Sequence, residues 1–107
     1  KNFDWIIIKC SSPGKLNNIQ IDTHHFKGNY PDKCSIQAEY ITKKISEKSI
    51  VKQSNRWTYI LNKTKLYAHQ KHNFKNKKMQ NKKLNYIRVN IFPDGGISRI
   101  RAFGKSQ

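Results

Sequence analysis

Long apolar runs are absent from this sequence. No stretch of eighteen apolar residues occurs, which excludes a membrane-spanning helix. The longest apolar run, Trp5-Ile6-Ile7-Ile8, is too short for the core of a secretory signal. Cysteine is nearly absent too. Cys10 and Cys34 are the only two, and with no C-x-x-C spacing a zinc ribbon or a redox motif is excluded. A disulfide between them is one option. Two free thiols in a sandwich core suit the lack of an export signal better, and that lack predicts a cytoplasmic protein with no membrane partner.

Acidic residues are scarce: 6 Asp and Glu stand against 22 Lys and Arg, giving a net charge of +16 over 107 residues. Such a balance points to nucleic acid or another anionic partner. Arginine is scarce as well, 4 against 18 lysines, whereas reading base edges leans on the arginine fork. Ala is down to 3 while Ile reaches 14 and Asn 11, a pattern that an AT-rich coding sequence also produces. The charge therefore has three readings: a solvated surface set by codon bias, attraction to an anionic ligand, or nucleic-acid binding.

What is present reads as one domain built of strands. The chain starts at Lys1 and meets strand-like sequence at once, as a piece of something longer would. Trp5 to Cys10 is apolar and runs into Ser11-Ser12-Pro13-Gly14, a turn signal. From Asn18 to His24, Ile19, Ile21 and Thr23 share one face and Gln20, Asp22 and His24 the other. Residues 26–33 carry Gly28, Asn29 and Pro31 and predict a loop. Cys34, Ile36 and Ala38 then alternate with Ser35, Gln37 and Glu39. Residues 42–56 predict a surface loop or weak helix, and Trp57 to Leu61 a core segment. Residues 71–83 hold six lysines and no acid, and predict an exposed connection.

Near the C-terminus, Tyr86 to Phe92 and Ile97 to Phe103 flank Pro93-Asp94-Gly95-Gly96, which predicts a hairpin. Ile87, Val89, Ile91, Ser98, Ile100 and Ala102 would form its core face. The same register would set Arg88 directly opposite Arg101, a destabilising pair unless solvent, a carboxylate or an anionic ligand intervenes. Many short strands with turn signals between them predict an all-β fold, an antiparallel jelly-roll β-sandwich. Only six or so strands are visible, so N-terminal strands are expected to be missing.

The blocks "DWIIIKCSSPGKLNNIQIDTHHFKGNYPDKCSIQA", "WTYILNKTKLYAHQKHNF" and "YIRVNIFPDGGISRIRAFG" resemble, in order and spacing, successive blocks of the allantoicase repeat. The resemblance covers nearly the whole chain. It implies a galactose-binding-like jelly roll and a hydrolase that converts allantoate to ureidoglycolate and urea in purine degradation. It also implies that residues 1–107 are a single repeat, incomplete at the N-terminus, with a second repeat in the complete protein. A homo-oligomer is a further option. The residues specify no cofactor and no metal.

Allantoate carries one carboxylate between two ureido groups. Its site needs cations, amide partners and a means of activating water. The loop after the 18–24 segment offers His25 and Asp32 as catalytic candidates and Lys27 and Asn29 as substrate contacts. Arg88, Arg99 and Arg101 offer guanidinium groups for the carboxylate. Each has a plainer reading. Asp32 after Pro31 can anchor a turn, Gly28 and Asn29 can serve a positive φ, and Asp94 can be a hairpin residue. His24 and His25 point to opposite faces of an extended chain and cannot easily share a metal; His69 and His72 also differ in parity. Asp22 with His24 is the one same-face pair, short of a full ligand set. One glycine in this loop is too few for a phosphate cradle.

Three functional readings follow: an allantoicase-like hydrolase, a jelly-roll remnant or binding module without chemistry, and a basic nucleic-acid-binding domain. For the last, no exposed-aromatic pattern of the stacking-platform kind interleaves with the 71–83 lysines.

Overall fold

The computed structural model describes residues 3–24, 32–93 and 99–105. Seven strands and two short helices follow one another as β1 (Asp4–Gly14), β2 (Leu16–Asp22), β3 (Lys33–Glu39), α1 (Glu47–Ser54), β4 (Thr58–Lys65), β5 (Lys71–Phe74), α2 (Lys77–Asn81), β6 (Leu84–Phe92) and β7 (Arg99–Gly104). They form two antiparallel sheets, one in the order β1-β6-β3-β4 and the other β5-β2-β7. The all-β sandwich expected from the strand pattern is the fold observed.

Period-two alternation decides which side chains enter the core. Ile19 and Ile21 of β2 and Cys34, Ile36 and Ala38 of β3 are fully buried, and Ile87, Val89 and Ile91 of β6 join them between the sheets. Both cysteines are free thiols, Cys34 buried and Cys10 partly so. A second, smaller cluster lies on the outer face of the four-stranded sheet. There α1 lays Ile50 against Trp57 and Tyr86, with Ile7, Ile41 and Ile45 around them. Ser46 caps α1 by accepting from the Ser49 N–H at 3.2 Å, and Glu47 follows in the first turn.

Three expectations are corrected. The Ser11-Ser12-Pro13-Gly14 segment does not end the first strand; β1 runs to Gly14, with a register shift between Lys9 and Gly14. Residues 71–83 are not a bare connection. They form β5 and α2, whose Met79 is fully buried while the lysines around it face outward. A five-residue helix is too short to show a 3.6 period in such a lysine-rich setting.

The third correction is the terminal hairpin. β6 lies between β1 and β3, so both its edges are taken, and β7 pairs instead with β2 in the other sheet. Arg88 therefore stands opposite Ile7 and Gln37, and Arg101 opposite Gln20. In a sandwich, an inward-facing alternation fits either sheet, and alternation alone cannot choose. Asp94 and Ser98 lie outside the described residues.

Candidate functional site

The described flanks of the two segments richest in polar candidates, some sixty residues apart in sequence, lie together at one end of the sandwich. The Asp32 N–H donates to the Phe92 carbonyl at 2.8 Å, and Asp22 is the register partner of Arg99. The turn between β4 and β5 joins them, since the Thr23 N–H donates to the Gln70 carbonyl at 2.8 Å. His25, Lys27 and Asn29, expected to form this rim, lie outside the described residues, as does Gly28. Asp32 is held by Lys65 and, at 3.4 Å, by Lys33. The Lys65 ammonium bonded to it holds its carboxyl below the usual carboxylate range. An ionised, paired carboxylate is an anchor, and this geometry suits the plainer reading of Asp32.

The three arginines do not converge. Arg99 and Arg101 are exposed on β7, in the three-stranded sheet. Arg88 is only 6% exposed and belongs to the outer face of the four-stranded sheet. There it lines a cavity of about 390 Å³ with Ser35 and Gln37 of β3, Asn62 and Lys63 of β4, and Asn90 of β6. Phe3, Tyr59 and Phe92 form its aromatic rim. Strand alternation places Ser35 with Gln37, and Arg88 with Asn90, on this face. Asn62 and Lys63 arrive together for another reason. Cys34 pairs with Thr64 and Ile36 with Leu61, so two residues of β4 oppose the single Ser35. Such a bulge turns consecutive side chains toward one place.

The floor of this cavity is one hydrogen-bonded chain. Arg88 Nη1 donates to Ser54 Oγ at 2.6 Å, and Ser54 donates to the Val51 carbonyl at 2.7 Å. Arg88 Nε donates to Asn90 Oδ1 at 2.8 Å, and Asn90 Nδ2 donates to Gln37 Oε1 at 2.9 Å. Gln37 Nε2 donates onward to the carbonyls of Asn55 and Trp57, each at 3.0 Å. The guanidinium also lies 4.9 Å from the Trp5 ring centre. Every partner of Arg88 among the described residues is neutral. Among the described residues no carboxylate stands within ion-pair distance of it. Burial pushes its pKa down from the ordinary arginine value, yet arginine stays charged in proteins. A desolvated cation without a counter-ion is costly, and an anion bound in the cavity would offset that cost. Lys63, 4.1 Å from the Phe92 ring centre, adds a second cation at the rim.

Asp22 and His24 make the other polar pairing of note. His24 Nδ1 lies 2.6 Å from Asp22 Oδ1, and the His24 N–H donates to the same oxygen at 2.8 Å. That backbone bond, ahead of the imidazole and Lys71, holds the Asp22 carboxyl below its ordinary range. Among the described residues no group of three His, Cys, Asp or Glu side chains is arranged to hold a metal. His72 is buried in its own structural bonds, accepting the Tyr67 N–H at 2.9 Å through Nε2 with Nδ1 3.1 Å from the Ile21 carbonyl.

The family model described as the allantoicase repeat matches residues 1–107. The chain belongs to the allantoicase family. It is 45% identical over 102 residues to a probable allantoicase of Stutzerimonas stutzeri, covering 95% of this chain and 30% of that one. It is 43% identical over 104 residues to a probable allantoicase of Pseudomonas aeruginosa, covering 97% and 31% respectively. The crystal structure of Saccharomyces cerevisiae allantoicase superposes with a TM-score of 0.83 at 31% identity, over 97% of this chain and 33% of that one. A second allantoicase structure gives a TM-score of 0.76 at 23% identity, over 97% and 28%, a likeness of fold. The chain thus spans about a third of the length of the allantoicases it matches. No helix among its described residues is long and apolar enough to cross a membrane.

Of the polar cavity residues in this allantoicase-family chain, the sequence pattern marks only Arg88 as a site candidate; Ser35, Gln37 and Asn90 sit on the strands without being marked, and so do Asn62 and Lys63. For Ser35, Gln37 and Asn90 the signal is polar side chains at alternate positions inside strands otherwise rich in Ile, Val and Ala. A solvated face gives the same pattern. The bulge that delivers Asn62 and Lys63 leaves no mark in the sequence at all.

Proposed function

We propose that this chain supplies the carboxylate-anchoring pocket of an allantoicase, an enzyme that converts allantoate to ureidoglycolate and urea. The observation that carries the reading is Arg88, a buried guanidinium whose partners among the described residues are all neutral, in a cavity of small-molecule size. Arg88 would bind the substrate carboxylate. Lys63 would strengthen the local positive potential, and the amides of Gln37, Asn62 and Asn90 suit the ureido groups. In the reaction, water delivers hydroxyl to the central carbon as its bond to one ureido nitrogen breaks, and urea leaves with the proton. His25 of the rim loop is the candidate for activating that water. Asp32 serves as an anchor of the loop, and Arg99 and Arg101 do not line this cavity.

The chain is proposed as a single repeat of a longer polypeptide that carries a second repeat. Its coverage of about a third of each relative supports this. Urea release from allantoate by the complete protein tests the hydrolase reading, and Arg88→Ala should remove it. A well-folded complete protein that releases no urea would overturn it. A second reading has its own support, because the described cavity lining holds neither a carboxylate nor an imidazole. A binding module without chemistry would still take up allantoate, quench Trp5 fluorescence and release nothing.

A further inference from the structure

The hydrogen-bonded floor of the Arg88 cavity has a direction, and the direction starts in the backbone. α1 ends at Ser54, and the Arg56 and Trp57 N–H groups donate back to the Gln53 and Ser54 carbonyls at 3.0 and 3.2 Å. The turn so held aims the carbonyls of Asn55 and Trp57 at Gln37. A carbonyl only accepts, so the Gln37 amide nitrogen has to face them, and both its hydrogens are used there. Gln37 Oε1 is thereby turned toward Asn90 and accepts one Nδ2 hydrogen at 2.9 Å, while Ser35 Oγ accepts the other at 3.2 Å. Asn90 Oδ1 is left facing the Arg88 Nε–H. Both amides are almost fully buried. Reversing either one would oppose oxygen to oxygen and N–H to N–H, so neither is free to turn.

The two amides therefore have no hydrogen left to donate. Each oxygen has accepted one bond and keeps one lone pair. Arg88 is the opposite case: its Nη2 hydrogens and one on Nη1 are unused among the described residues. On the β4 bulge the Asn62 side chain makes no hydrogen bond among the described residues, and Lys63 adds an ammonium beside it. In strand order β6, β3, β4 the face thus runs from the Arg88 donors, through two acceptor oxygens, to the donors of Asn62 and Lys63. We infer that Gln37 and Asn90 are the specificity-determining residues of this pocket, selecting a carboxylate whose neighbouring carbon bears an N–H: the class of N-carbamoyl α-amino acids. The carboxylate takes the Arg88 fork, the N–H takes one of the two lone pairs, and the carbamoyl oxygen meets Asn62 or Lys63. An oxygen in place of that N–H would set lone pair against lone pair, with no hydrogen on either amide to relieve it. One ureido arm is enough, so the class is wider than allantoate. This preference rests on the Arg88 anchor proposed above and adds to it a rule for the atom next door.

The experiment is calorimetric binding to the complete protein at neutral pH, with acetate, N-carbamoylglycine and O-carbamoylglycolate. The last is the isostere in which oxygen replaces the N–H. N-carbamoylglycine should bind best, and the isostere at least about tenfold more weakly. Equal or tighter binding of the isostere would overturn the inference and leave the Arg88 anchor standing. Failure of all three ligands to bind would overturn the anchor and the inference together. Asn90→Ala and Gln37→Met give a second arm, read as the ratio of the two carbamoyl affinities. A merely structural role would weaken both ligands alike and keep the ratio. The ratio should fall toward one in at least one variant, and an unchanged ratio in both would overturn the inference. Should neither variant fold, the comparison of the two isosteres on the unaltered protein decides alone.

Discussion

Arg88 Nε and Asn90 Oδ1 are 2.8 Å apart on one face of one strand, so a neutral amide stands where a carboxylate would normally neutralise a buried guanidinium. The amide orients the fork without cancelling its charge. That combination keeps the positive potential available to a ligand, and it sets the first expectation.

Arg88→Ala should abolish binding of small carboxylates to the cavity, while Arg88→Lys should retain weak binding without the planar two-point contact. Calorimetry with allantoate or a simple carboxylate reads this directly. Trp5, 4.9 Å from the guanidinium, provides a fluorescence signal. Undiminished binding by Arg88→Ala would place the anchor elsewhere.

Ser54→Ala should weaken the fold as well as the site. It leaves an Arg88 N–H without its 2.6 Å acceptor in a buried setting, at a cost of about 1–3 kcal/mol. Chemical denaturation measures it. Ser54→Thr, which keeps the hydroxyl, should recover most of the loss.

Met79→Ala should cost about 2–5 kcal/mol, because Met79 is fully buried beneath α2. Asn76→Ala should cost about 1 kcal/mol, since Asn76 caps that helix by accepting the Met79 N–H at 2.7 Å. Lys77→Gln and Lys78→Gln should stay within about 0.5 kcal/mol. Equal effects at all four positions would contradict the burial of the helix.

Acid should destabilise the rim. Asp22 and Asp32 both have carboxyl pKa values held below the ordinary range, the first by the His24 backbone N–H and the second by the Lys65 ammonium. A carboxyl depressed in the folded state contributes stability above its unfolded pKa, and that contribution is lost as pH falls through the folded one. Melting temperature should therefore drop below about pH 4, and Asp22→Asn and Asp32→Asn should each flatten the drop.

Burial pushes the Cys34 thiol up to about 12, so the thiolate that alkylating agents require is almost absent near neutral pH. Cys34 should resist iodoacetamide at pH 8 in the native protein and react on unfolding. Cys10, less buried and less shifted, should react faster than Cys34 in the isolated chain.

Much of the framework was legible because it rests on alternation. Ile19 and Ile21, and Cys34, Ile36 and Ala38, announce two inward faces, and all five are fully buried. Alternation does not say which sheet a strand joins: the pattern alone pairs β7 with β6, whereas β7 lies on β2. Short helices are likewise hard to see, as α2 shows within its lysines. At the site, Arg88 could be named from sequence, but the reason it matters could not. Its isolation from every described carboxylate depends on β6 being enclosed by β1 and β3, a non-local fact. The rim candidates His25, Lys27 and Asn29 fall outside the described residues, and the family resemblance supplied their suggested roles.

Thr23 closes β2 in an unusual way. Its hydroxyl lies 2.6 Å from the Tyr67 carbonyl and 3.2 Å from that of Gln70, and it accepts the Gln70 N–H at 3.1 Å, all with the side chain fully buried. The strand end and the β4–β5 turn are thereby bolted into one rigid mount. The end of β2 is therefore tied to the β4–β5 turn, and a displacement of one is transmitted to the other. A substitution in the 66–70 turn would then act at a distance, tilting the base from which the whole motif loop is launched.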